Sequence, residues 1–159
     1  MKLARAIHFD ESDRNVFHNA ARTGEWAISG GFEFSDWAEA DLKGKNRQAF
    51  SNGWLGLETF GRVTFVAVTQ IEPSELEALT DRLAQHFVDI YGAPTLEAAR
   101  PVAIQELEHA QDLCEDHEPN TLIAVSRKLT EAGVNEQFST IKTDDADISQ
   151  FAIHGSLDD

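Results

Sequence analysis

The sequence predicts an α+β domain, a largely antiparallel sheet with two main helices packed on one face. Segments of strand character come first, two helices with clear apolar period occupy the middle, and strands return after them. That order, without regular βαβ alternation, belongs to the α+β class. A hydrophobic fraction of 42%, with ten Phe and three Trp, supplies a core for one domain in a chain of 159 residues. The expected organisation is a single domain over 1–142 and an acidic tail over 143–159, with no internal repeat.

The first strand is expected near the N-terminus. Leu3, Ile7 and Phe9 share one parity with Arg5, and Ala4, Ala6 and His8 the other, as in a strand packed on both faces. It should end at Asp10-Glu11-Ser12-Asp13. A second strand is read over 26–34, where Trp26, Ile28, Phe32 and Phe34 are in phase and Gly30-Gly31 permits a bulge or a change of register. Ser35 or Asp36 can cap a short helix over 36–42, because Asp36 and Glu39 have capping-box spacing. Strands over 54–59 and 63–71, joined through Phe60-Gly61-Arg62, form a hairpin.

A long helix over 74–91 has signals at both ends: Pro73, Ser74 with Glu77 three residues on, and Gly92 followed by Pro94. Leu76, Leu79, Leu83, Phe87 and Ile90 make one stripe that must bury. A second helix over 95–115 should be kinked or restarted by Pro101, which has no N–H to donate. On it Ala103, Ile104, Leu107, Ala110 and Cys114 share a face. Two strands, over 122–129 and 134–142, meet around Gly133. The tail carries an apolar patch at Phe151 and Ile153.

Thirteen Lys plus Arg against 28 Asp plus Glu give a net charge of −15. Such a field repels phosphate backbones and anionic headgroups, so neither nucleic acid nor a membrane surface is an expected partner. The single Cys114 excludes an intrachain disulfide and a multi-cysteine metal site within one chain. Arg5 and His8 interrupt the run a signal peptide needs, and no stretch approaches about 20 apolar residues. The expected location is the cytoplasm.

One basic island breaks the acidity. Lys43, Lys45 and Arg47 lie in the span 42–57, which has no acidic residue. It is read either as a site for an anionic small molecule, with Trp54 as its apolar wall, or as a solvated loop balancing nearby acidic surface. A P-loop is excluded: Glu39 and Asn46 stand where that motif requires Gly and Ser or Thr.

Glu106 and His109 have the i, i+3 spacing of carboxylate–histidine metal helices, and Cys114 with His117 adds a second pair. With Leu107 at 0°, His109 lies near 200° and Asp112 and Asp116 near 140° and 180° at about 100° per residue. That is the face opposite the core, so Glu106, His109 and His117 are metal candidates of weak geometry, and no cofactor is expected. His86, with Asp89 three residues on, has the spacing of an oriented general base; a locally bonded boundary histidine explains it equally. Asp144, Asp145 and Asp147 lack the Gly and distal Glu of a calcium loop. Serine nucleophile elbows, zinc-binding His-Glu-x-x-His helices and dinucleotide loops are absent.

The run Gly44-Lys45-Asn46-Arg47-Gln48-Ala49-Phe50-Ser51-Asn52-Gly53-Trp54-Leu55-Gly56-Leu57, with Trp26-Ala27-Ile28-Ser29-Gly30-Gly31-Phe32 upstream, resembles a family of small uncharacterised bacterial proteins classed as a domain of unknown function. The resemblance covers most of the chain and implies no activity, cofactor or catalytic residue. The expected function is therefore that of a non-catalytic accessory or interaction protein that self-associates as a homo-oligomer or engages a protein partner, with Trp37 and Phe50 as anchors. The alternative is a binding domain or small enzyme that holds an anionic small molecule on Lys43, Lys45 and Arg47.

Overall fold

The computed structural model describes residues 1–8 and 15–141; the turn expected at 10–13 and the tail over 143–159 lie outside the described residues. The elements run β1 (Lys2–Ile7), β2 (Trp26–Ile28), 3-10 turns at Gly31–Phe34 and Glu39–Asp41, α1 (Gly44–Asn52), β3 (Trp54–Gly56), β4 (Arg62–Val63), β5 (Phe65–Gln70), α2 (Pro73–Tyr91), α3 (Leu96–Glu115), β6 (Leu122–Thr130) and β7 (Gly133–Ile141). This is the expected α+β class. The strands form one sheet in the order β4-β3-β2-β1-β5-β6-β7, antiparallel at every pairing.

The sheet has to curl. β4 and β5 are separated by Thr64 alone, yet they occupy the first and fifth positions of the sheet. Four strand spacings across a flat sheet span about 19 Å, whereas two residues of chain reach about 7 Å. The chain over 62–70 is thus one interrupted strand whose start pairs with β3 and whose continuation pairs with β1 and β6.

Both faces of the sheet are buried at its centre, as the mixed parity of β1 predicts. Leu3, Ile28 and Leu55 join the core built with Leu83 and Phe87 of α2 and Ala103, Leu107 and Ala110 of α3. Their chain neighbours Ala4, Ala27 and Trp54 join a second core with Val66, Val68, Ile123, Val125 and Cys114. α3 lies against β1, and α2 packs along α3. Arg100 of α3 forms ion pairs with Glu77 and Asp81 of α2, and Lys2 Nζ donates to the carbonyls of Glu115 and His117, binding the end of α3 to β1.

Several expectations require correction. The strand over 26–34 stops at Ile28, because Gly30 turns the chain with φ 69° and the next four residues wind into a 3-10 turn. The helix over 36–42 is only the turn Glu39–Asp41, where the Asp41 carboxylate accepts the Ala38 N–H. The basic island, expected as a loop, is helix α1. The apolar stripe of α2 buries Leu83 and Phe87 but leaves Ile90, next to the last residue of the helix, 63% exposed. Pro101 sits inside α3 without ending it, near enough to the N-terminus that little of the helix precedes it. Thr95 caps α3 by accepting the Ala98 N–H, and Gly92 ends α2 with φ 77°, both where the sequence places them.

A buried arginine pair and an acidic cleft

The polar centre of the molecule is built on two arginines that sequence reading passed over. Arg62 of β4 and Arg127 of β6 are both buried, with side-chain exposures of 7% and 0%. Arg127 lies beside the C-terminal end of α1, whose last carbonyls have no helical partner. It donates to the carbonyls of Ala49, Phe50 and Gly53 through Nη1, to that of Ser29 through Nη2, and to Glu136 Oε2 through Nε. A cation at this end of a helix also meets the negative pole of its dipole. Arg62 donates to the carbonyls of Ser29, Gly30 and Gly53 and pairs with Glu33. Both guanidinium groups lie against the ring of Phe34, at 4.5 and 5.1 Å from its centroid.

Each arginine brings one carboxylate with it. Glu33 meets Arg62, the hydroxyl of Tyr91 and the ring of His86, whose Nε2 stands 3.8 Å away, too far for a hydrogen bond. Burial pushes the Glu33 carboxyl up, but His86, the charge on Arg62 and the Tyr91 hydroxyl outweigh it and hold the group at about 2. Burial foremost, then the hydrogen bond to Glu33 and its charge, raise the Tyr91 phenol, against the opposing charge of Arg62. Burial and the neighbouring Arg62 push Arg127 down to about 10.

Glu136 opens onto a cleft of about 320 Å³ lined by Ser29, Gly31, Phe32, Glu106, His109, Val134 and Glu136. The loop after β2, helix α3 and strand β7 supply its three sides. The loop fits only because of its glycines: a Cβ on Gly31 would lie 2.3 Å from Glu136 Oε2, and one on Gly30 2.4 Å from Leu55 Cβ. Ser29 Oγ donates to Glu136 Oε2, the oxygen that Arg127 also holds, while among the described residues Oε1 accepts no hydrogen bond. Glu106 has neither a hydrogen-bond donor nor an ion-pair partner among them. Burial raises its carboxyl, His109 pulls it down and Glu136 adds to the rise.

The structure therefore sorts the sequence candidates. Glu106 and His109 do meet, in the cleft, with Glu136 and Ser29 as neighbours that spacing gave no means of finding. His117 lies beyond the end of α3, about two helical turns past His109. Among the described residues no group of three His, Cys, Asp or Glu side chains is placed to hold a metal ion. Lys43, at the N-cap of α1, and Lys45 and Arg47 on its first turns are all exposed. Trp54 does not wall them, because it points into the sheet core, fully buried against Phe138 at 5.5 Å. Phe50 is buried at 2% exposure and Trp37 is half-buried edge-on to Phe34, so Phe50 is no partner anchor. His86 is not oriented by Asp89, which accepts from Gln85; its ring stacks on Phe60 at 3.7 Å instead. Cys114 is buried, its thiol pushed up to about 11 by burial, and inert on that account.

The cleft presents no nucleophile set against a base. The Ser29 hydroxyl is committed to a carboxylate that an arginine already neutralises. A profile described as Family of unknown function (DUF6505) matches residues 1–159, and the chain belongs to that family. No curated protein and no solved structure matches it.

Proposed function

Since family membership brings no activity with it, we propose that the protein is a non-catalytic binding module that takes a small polar molecule in the cleft between the Ser29–Phe32 loop, α3 and β7. The observation that carries this reading is the Glu106 carboxylate, partly buried at a cleft wall with no hydrogen-bond donor and no ion-pair partner among the described residues, and with His109 offsetting only part of its desolvation. A volume of about 320 Å³ suits a compact metabolite. A cytoplasmic location belongs to the same reading, supported by a lone, buried cysteine; no helix among the described residues is long and apolar enough to cross a membrane.

A thermal-shift screen of small metabolites, run in parallel on the protein and on Val134→Trp, tests the reading. Compounds that raise the melting temperature of the first and not of the second support it. A screen in which every stabilising compound acts equally on both overturns it.

A second reading, self-association, is favoured by Ile90, Tyr91 and Leu96, exposed at 63%, 44% and 50% on either side of the turn between α2 and α3. Light scattering coupled to size exclusion tests it. A multimer that Ile90→Glu with Leu96→Glu dissociates supports it, and a monomer at high concentration removes it.

A further inference from the structure

The polar groups that the cleft leaves unused are almost all acceptors. The Ser29 hydroxyl is donated to Glu136, and the Gly31 N–H faces Ser29 Oγ at 3.4 Å. The guanidinium of Arg127 is fully buried behind Glu136 and occupied by carbonyls. What the lining keeps without a hydrogen bond from a described residue is Glu136 Oε1, both oxygens of Glu106 and the exposed imidazole of His109. An anion entering here would meet two carboxylates and one donor ring. A neutral molecule would leave the charge on Glu106 without an ion-pair partner. A cation with several N–H donors satisfies the free oxygens and offsets Glu106, the cleft carboxylate that no described residue pairs by hydrogen bond or ion pair. The field of a chain with net charge −15 draws such a ligand in and repels the opposite kind.

We propose that the ligand is a small organic cation, an ammonium or guanidinium group on a short carbon chain, whose head group lies between Glu106 and Glu136 and whose chain runs along Phe32 and Val134. This rests on the reading of the cleft as the ligand site and reverses the sign of the ligand expected at Lys43, Lys45 and Arg47. Those side chains stand exposed on α1, outside the cleft lining.

The test is a titration of the ¹⁵N-labelled full chain with n-butylamine, n-butanol and butyrate at constant ionic strength, followed by amide chemical shifts. Butylamine should move Gly31, Glu106 and Glu136 more than the other two probes do. Glu106→Gln should weaken its binding about tenfold, the loss of one charge-assisted contact, whereas Glu108→Gln, exposed on the same helix but outside the cleft, should leave it unchanged. If butanol or butyrate moves the cleft amides and butylamine does not, the cation is wrong and the cleft stands. If none of the three moves them, both readings fall. Equal butylamine affinity in the two variants overturns the proposal, because the cation is then held by general surface acidity.

Discussion

Arg62 and Arg127 share two acceptors: the carbonyl of Ser29 and the carbonyl of Gly53 each take a hydrogen bond from both guanidinium groups. Two buried like charges can sit this close because each has its own carboxylate, Glu33 and Glu136, and Phe34 lies against both. The pair ties the end of α1 and the loop after β2 to β4 and β6, so the loop wall of the cleft is set from behind by buried charge.

Removing one member should therefore cost more than the contacts themselves. Arg127→Met leaves the α1 carbonyls uncapped and Glu136 without its counter-charge, and should lower stability by about 3–5 kcal/mol in urea denaturation. Adding Glu136→Gln should recover part of that loss. Lys128→Met, exposed one residue further along β6, should stay within about 0.5 kcal/mol of the parent.

Glu33 carries a pH dependence of definite sign. Its carboxyl is held at about 2 in the fold against an ordinary value of 4.5, so the stability it contributes is complete above 4.5 and is lost as the pH falls toward 2. Glu33→Gln should lower the urea midpoint at pH 7 and flatten the stability profile between pH 4.5 and 2. A profile as steep as the parent's in that window would mean that other carboxylates dominate acid unfolding.

Glu106 should behave in the opposite way. Burial raises its carboxyl, so the ionised form is disfavoured in the fold and the chain loses stability as the pH rises above 4.5. Glu106→Gln should make the protein more stable at pH 7, with the gain fading below pH 4.5. A residue that weakens the fold yet lines a cleft is placed as a binding group would be, and an equal or lower melting temperature for the variant at pH 7 would contradict that placement.

Two residues of one sequence stripe should part company on truncation. Leu83→Ala, at a site with no exposure, should cost about 2–5 kcal/mol. Ile90→Ala, at 63% exposure, should change stability by no more than about 0.5 kcal/mol. Chemical denaturation of both variants checks the pair.

The basic island opposes its own helix. Lys45 lies in the first turn of α1, which holds no acidic residue and where the helix dipole favours negative charge. Lys45→Glu should raise stability by about 0.3–1 kcal/mol at low salt, less at high salt. No change at low salt would show that solvent already screens the helix end.

Periodicity and end signals made α2, α3 and the two closing strands legible, because a stripe such as Leu79, Leu83 and Phe87, or a stop such as Gly92, acts through its immediate neighbours. α1 was illegible for the complementary reason. Its span has weak amphipathic character and one buried side chain, Phe50, and it is held by Arg127 and by Asn52 Nδ2 bonding to Val125, contacts more than 70 residues away in sequence. The cleft was half visible: Glu106 and His109 announce each other by spacing, but Ser29 and Glu136 join them only through the folding of the β2 loop onto β7. Arg62 was read as part of a turn and Arg127 as an ordinary strand residue, since nothing local marks a charge that will be fully enclosed.

β1 lies between β2 and β5 in the sheet. All its partners come later in the chain, and its longest pairing, with β5, joins residues about sixty apart, Lys2 with Gln70 and Ile7 with Phe65. During synthesis the first strand can meet only β2, through Ala4 and Arg5, until β5 has left the ribosome, so its other edge stays unpaired in water until then. Folding should be slow for a chain with two long helices, because the entropy of closing that loop is lost before the sheet can form. Excising residues 2–7 should leave two separate fragments of sheet, β4-β3-β2 and β5-β6-β7, rather than a smaller version of the same domain.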